Sequence, residues 1–236
     1  MNDLYMNMYY GFDWTYVLVI IGFIFALIAQ FGVKSTFSKY DKVYSARNIT
    51  GAQAARMILD ANGLQHVQVV HIAGELSDNF NPKTNIVSLS DSTYSSTSVA
   101  AIGVAAHECG HAVQHQVGYA PIRVRNGIVP FVNICNRLSL PLFIIGLLIG
   151  MTPLAMVGAI LFGAVVLFQL VTLPTETNAS ARAMKTLDGM GILEADELKG
   201  ARKVLTAAAM TYVAALVSTA LQFLRLLLIV AGRRRD

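Results

Sequence analysis

Residues 105–115 read AAHECGHAVQH, and within them His107, Glu108 and His111 form the pattern H-E-x-x-H. Residues four apart on a helix share one face. The two imidazoles therefore point the same way, as two ligands of one tetrahedral zinc must. Glu108 follows the first histidine directly, where it can reach a zinc-bound water without ligating the metal itself. Zinc lowers the pKa of such a water to about 7, and a carboxylate can then take its proton. The chain holds only five histidines, so a chance pair at this spacing is less frequent than in a histidine-rich chain. An ordinary helix with two unrelated histidines is the competing reading.

A catalytic zinc needs a third protein ligand and one open position. The metzincin extension requires glycine at 114 and histidine at 117, and this chain has Gln114 and Val117. His115 lies eight residues from His107, about 12 Å along a helix axis, too far to share a metal. His66 and His71 fall in or next to a predicted strand and are poor candidates. The remaining candidates are carboxylates on a second helix. LPTETNASARAM, residues 173–184, supplies Glu176. Pro174 suits the first turn of a new helix, which would bring Glu176 out at the membrane surface with Ser180 one turn further. Asp188, Glu194, Asp196 and Glu197 are the other acids nearby. The last three belong to a stretch that reads as a solvated helix, with Asp196 and Lys199 as a surface pair.

The surroundings are apolar. The chain of 236 residues is 55% hydrophobic and 14% charged, against about 25% charged in soluble domains. Its mean hydropathy is +0.54. This composition points to a membrane protein. Cys109 and Cys135 suggest free thiols rather than a disulfide framework. No phosphate-binding loop and no basic patch interleaved with aromatics is present, so nucleic acid is not an expected partner.

Residues 17–33 form an apolar run interrupted only by Gln30. With Trp14 and Tyr16 the run reaches about 20 residues, the length a bilayer core requires. Tyr9, Tyr10, Trp14 and Tyr16 resemble an interfacial aromatic belt. A start with Asp3 and Asp13 and no basic residue argues for a retained transmembrane helix rather than a signal peptide. Residues 127–173 are apolar again, with a break at 150–153. The span before the break must extend back past Arg137, or the bilayer is thinned there. Arg137 either faces protein or a wet cavity, or snorkels to the headgroups. Residues 204–230 form a last apolar helix, interrupted by Arg225.

Between these runs the chain is mixed. Residues 48–64 predict a helix capped by Thr50 with Gln53 three residues on, stopped at Gly63. VQVVHIA and NIVSLS predict two short strands around a turn-rich GELSDNFNPKT. The Ser/Thr cluster before residue 99 predicts the start of the helix that carries the motif. The expected organisation is an N-terminal transmembrane helix (1–33), a catalytic domain with the motif helix (34–126), two transmembrane helices (127–173), a third-ligand helix and linker (174–203) and a C-terminal transmembrane helix (204–236). The fold class is thus a mainly α membrane protein with about four transmembrane helices. A small α+β zincin-like domain sits at the membrane surface.

Lys and Arg placement predicts orientation. Lys34, Lys39, Lys42, Arg47, Arg56, Lys83, Arg123 and Arg125 fall in one connecting segment, and Arg182, Lys185, Lys199, Arg202 and Lys203 in another. Both belong on the cytoplasmic side. Arg233, Arg234 and Arg235 fit poorly: either the rule yields there, or the last helix does not fully cross.

H-E-x-x-H followed, after two apolar spans, by E-x-x-A-S resembles the membrane zinc metallopeptidases of the YugP type. These are similar at a distance to the HtpX and CaaX-prenyl-protease families. The resemblance runs over nearly the whole chain, through YDKVYSARNITGAQAARMIL, LSDNFNPKTNIVSLS, LPTETNASARA and GARKVLTAAAMTYVAA. It implies one zinc held by His107, His111 and Glu176, with Glu108 as general base. HtpX-type enzymes carry an aspartate where this chain has Ser180, which can hydrogen-bond a histidine more weakly. The resemblance also implies an edge strand that holds extended substrate, for which Asn85, Ile86, Val87, Ser88, Leu89 and Ser90 are the candidates. Arg182 and Tyr212 are candidates for stabilising an oxyanion.

The expected function is therefore a zinc endopeptidase of a bacterial plasma membrane. Its water would be activated by Glu108 and its substrates would be membrane or membrane-associated proteins. The bilayer is its surroundings, and an oligomer or membrane partner stays open. The alternatives are a site-2-type intramembrane protease and a non-catalytic scaffold that retains a zinc site. Glu108 speaks against the scaffold, because a structural zinc has no use for it.

Overall fold

The computed structural model describes residues 13–233. Tyr9, Tyr10, Arg234 and Arg235 lie outside the described residues. The order of elements is α1 (Tyr16–Tyr40), α2 (Gly51–Ala61), β1 (Gln68–His71), β2 (Asn79–Asn81), β3 (Ile86–Leu89), α3 (Asp91–Tyr94), α4 (Val99–Gln116), α5 (Ala120–Leu148), α6 (Thr152–Gly189) and α7 (Ala195–Arg233). Helices α1, α5, α6 and α7 are long and apolar enough to cross a membrane. The described residues form two compact units, one of residues 13–28, 124–172 and 212–233, the other of residues 29–123 and 173–211.

In the first unit, α5 and α6 form a close hairpin. A Cβ on Gly146 would lie 2.3 Å from the Ala155 nitrogen, and one on Gly158 would lie 2.5 Å from that of Phe143. The α5 span does extend back past Arg137, which is exposed. Helices α1 and α7 run antiparallel. Ser218 Oγ donates to the Gly22 carbonyl at 2.7 Å. Arg225 reaches Asp13 at 3.3 Å and lies 4.0 Å over the Tyr16 ring. The arginine that interrupts the last apolar run is thus paired where α1 begins.

The second unit has a conventional core. Ile58, Leu59, Val87, Leu89, Ile102 and Leu187 are each 2% exposed or less. Burying one such side chain contributes roughly 1.5–3 kcal/mol. Helix α2 starts as its sequence predicts: Thr50 Oγ1 accepts from the Gln53 nitrogen, and the Gln53 side chain accepts from the Thr50 nitrogen. Gly63, at φ +72°, takes the left-handed turn that ends it.

The sheet departs from expectation. Both predicted strands form and pair in parallel, but β2 arises inside the polar loop and pairs antiparallel to β3. The order is β1-β3-β2, which places β3 in the middle. Ile86, Val87 and Ser88 are paired on both sides. The strand proposed above to hold substrate therefore has no free edge along Ile86, Val87 and Ser88. The β2–β3 turn is built by Asn81, whose Oδ1 accepts from the Lys83 nitrogen, and by Asn85 at φ +54°.

A second correction concerns Pro174. It begins no new helix, because α6 runs through it from Thr152 to Gly189. Proline inside a helix removes one hydrogen bond and costs about 3 kcal/mol in isolation. Here the hydroxyls of Thr172 and Thr177 donate to the Phe168 and Leu173 carbonyls in the turns around it.

Candidate metal centre

Helix α4 is fixed at its start by Ser98. Its Oγ accepts from the Ala101 nitrogen at 3.1 Å and donates to Asp41 at 2.9 Å. Further along, Gly110 lets α4 approach α6 closely: a Cβ there would lie 2.6 Å from the Ala179 carbonyl oxygen. This approach brings His107 and His111 to Glu176, which is 2% exposed.

The Nε2 atoms of His107 and His111 lie 3.3 and 3.4 Å from one oxygen of Glu176. One donor atom from each of the three residues falls within 4.8 Å of the others. These separations are longer than a good N–H···O hydrogen bond. The two nitrogen–oxygen distances match the edge of a tetrahedron with metal–ligand bonds of about 2.0–2.1 Å, which is about 3.3–3.4 Å. The donor set, two imidazoles and a carboxylate, is also that of a catalytic zinc.

The far nitrogens of both rings are held. His111 Nδ1 lies 3.0 Å from Gln114 Oε1. The Gln114 amide nitrogen donates to the Thr175 carbonyl at 2.8 Å and to Asn178 Oδ1 at 3.0 Å, which fixes its orientation. An amide oxygen only accepts, so Nδ1 carries the proton of the neutral ring and Nε2 is the nitrogen left for a metal. His107 Nδ1 lies 3.1 Å from Ser180 Oγ. Such partners set the tautomer and angle of metal-ligating histidines.

Glu108 is buried and, among the described residues, makes no hydrogen bond or ion pair. Burial raises its pKa, and the nearby His107 and His111 offset this only in part. For His111, burial alone would depress the pKa. The Glu176 hydrogen bond and the charges of Glu108 and Glu176 outweigh it, and the net shift is upward. Cys109, inside the motif, faces the other way. Its thiol is buried 3.6 Å from the Ala55 carbonyl, and burial pushes its pKa up. It is a core residue, not a nucleophile.

A family described as "Putative neutral zinc metallopeptidase" matches residues 15–231. The chain belongs to this family. It is 45% identical over 208 residues to the "Putative membrane protease YugP" of Bacillus subtilis (strain 168), covering 88% of this chain and 92% of that protein. No solved structure matches.

Against this family background the other candidates fall into place. Arg182 donates its Nε to Asn178 at 2.8 Å and lies over the Tyr119 ring. Tyr212 lies in α7 in the first unit. His71 pairs with Asp91 at 2.6 Å, and the His115 ring packs near Phe80. Asp196 and Lys199 form the expected surface pair at 2.7 Å. Gln114, Asn178 and Gly110 are absent from the sequence-based candidates. Their spacing, three after His111, two after Glu176 and one before His111, was the available signal.

Proposed function

We propose that the chain is a membrane-embedded, zinc-dependent endopeptidase that hydrolyses membrane or membrane-associated proteins at the cytoplasmic membrane surface. One observation carries this reading: a buried, unpartnered Glu108 stands beside His107, His111 and Glu176, whose donor atoms lie within 4.8 Å of one another. A purely structural site leaves such a carboxylate unexplained. Helix α4 is not among the four helices long and apolar enough to cross a membrane, which favours a surface site over an intramembrane one. The excess of Lys and Arg in the segments around both parts of the site supports the cytoplasmic side. The relation to a Bacillus protein supports a bacterial plasma membrane.

In this reading His107, His111 and Glu176 hold one zinc. A bound zinc supplies Lewis acidity toward the scissile carbonyl and makes a water acidic enough to lose its proton near neutral pH. The Glu108 carboxylate takes that proton and passes it to the nitrogen of the departing amine. Its raised pKa suits a group that must hold a proton between two steps. Gln114 and Ser180 keep the ligand rings oriented. Arg182 acts through Asn178 on Gln114. An extended substrate would pair with the outer edge of β2, which is bonded on one side alone in the sheet.

The test is cleavage of casein by the detergent-solubilised, zinc-loaded full chain. Glu108→Gln is expected to lower the rate by about 10²–10⁴-fold while retaining metal. Equal rates for the two proteins would overturn the proposal.

A further inference from the structure

Apart from the metal centre, the second unit carries a cavity of about 450 Å³ between the polar ends of α1 and α7. The two helices touch there because residue 200 is glycine: a Cβ would lie 2.8 Å from the Tyr40 ring. Below the contact, Phe37 and Val204 are buried together with Ala100. The cavity is therefore walled by a fixed helix pair.

Its chemistry is one-sided. Lys39, Arg202 and Lys203 line it, and no acidic residue does. Among the described residues none of the three makes an ion pair or a hydrogen bond, although Lys39 lies 5.7 Å over the Tyr40 ring. Lys39, Arg202 and Lys203 are exposed cations on one lining with no acidic residue among them, and an anion bound there gains from all three. The hydroxyls of Thr36 and Thr206 add donors suited to phosphate oxygens.

The cavity also changes character along its length. Lys39 lies just beyond the apolar run of residues 17–33, and Arg202 and Lys203 directly precede that of 204–230. Ala207 and Met210 continue the lining one and two turns into that second run. The cationic end is thus at headgroup level, and the other end is apolar. Basic pockets between transmembrane helices at this level suit anionic headgroups. A free anion would use the cations and leave the apolar end unused. We propose that this cavity binds the phosphate headgroup and upper acyl region of an anionic phospholipid, independently of the peptidase reading.

The test is native mass spectrometry of the full chain released from detergent after titration with dioleoylphosphatidylglycerol or dioleoylphosphatidylcholine. One phosphatidylglycerol should be retained at a concentration about tenfold below that needed for phosphatidylcholine, a difference of about 1.4 kcal/mol. Lys39→Gln/Arg202→Gln/Lys203→Gln should abolish the preference. The exposed control Lys83→Gln/Arg123→Gln/Lys185→Gln should keep it. Met210→Trp, which fills the apolar end without changing charge, should weaken retention and keeps the test decisive if the triple variant does not fold. Preference surviving the cavity substitutions, equal loss in the control, or displacement of the lipid by excess inorganic phosphate would each overturn the proposal. The last result would assign the cavity to a soluble anion.

Discussion

Gln114 holds His111 by its far ring nitrogen, Oε1 to Nδ1 at 3.0 Å, while its amide nitrogen bonds the Thr175 carbonyl one residue before Glu176. One side chain thus ties both metal-bearing helices together at the ligands. Gln114→Leu removes the acceptor for Nδ1–H and frees the ring to turn. Zinc affinity is expected to fall by about 10–100-fold, measured by competition with a chromogenic chelator. Unchanged affinity would show that packing alone orients His111.

Gly110 sets the distance between α4 and α6. In Gly110→Ala the new methyl group would lie 2.6 Å from the Ala179 carbonyl oxygen, a backbone atom that cannot swing away. The helices must separate, at a cost of about 1–3 kcal/mol. The variant should melt at lower temperature than wild type and bind zinc more weakly, because the separation moves Glu176 from the histidines. A melting temperature and affinity equal to wild type would refute the close approach.

Ser180 contacts His107 through a neutral hydroxyl at 3.1 Å. A carboxylate there would make a stronger, charge-assisted bond to Nδ1–H. Ser180→Asp is expected to tighten zinc binding, and Ser180→Ala to loosen it by less than Gln114→Leu does. The same chelator competition reads both, and the reverse order of Asp and Ala would contradict the contact.

Protons compete with zinc for the imidazole lone pairs. The His111 pKa is raised above its ordinary value of 6.5 in the metal-free site. Raising a histidine pKa keeps the ring charged to higher pH, so zinc must displace a proton already at pH values above 6.5. Apparent affinity should be flat at high pH and fall by about tenfold or more per pH unit once His111 binds its proton. Zinc titrations across this range check the sign: affinity that rises on acidification would contradict it.

The features legible in the sequence are those that local rules determine. Thr50 and Gln53 form their reciprocal cap within four residues and need no distant partner. His107 and His111 share a face because of helical geometry alone, whereas Glu176 is one of several candidate carboxylates and is singled out by the family resemblance. What escaped depends on distant neighbours. Asn79, Phe80 and Asn81 are only three residues, two of them turn-forming asparagines inside a polar loop, and β2 exists because Ile86, Val87 and Ser88 offer it a backbone. Its presence moved β3 to the centre of the sheet. Pro174 reads locally as a helix start, yet a long helix flanked by threonine hydroxyls absorbs it. Gln114 is an unremarkable polar residue until α6 passes beside it.

The most direct measurement is the zinc content of the purified full chain, by elemental mass spectrometry, for wild type, Glu108→Gln and Glu176→Ala. About one zinc per chain is expected in wild type and in Glu108→Gln, and its loss from Glu176→Ala. Full zinc in Glu176→Ala, or none in a carefully metallated wild type, would contradict the metal centre formed by His107, His111 and Glu176.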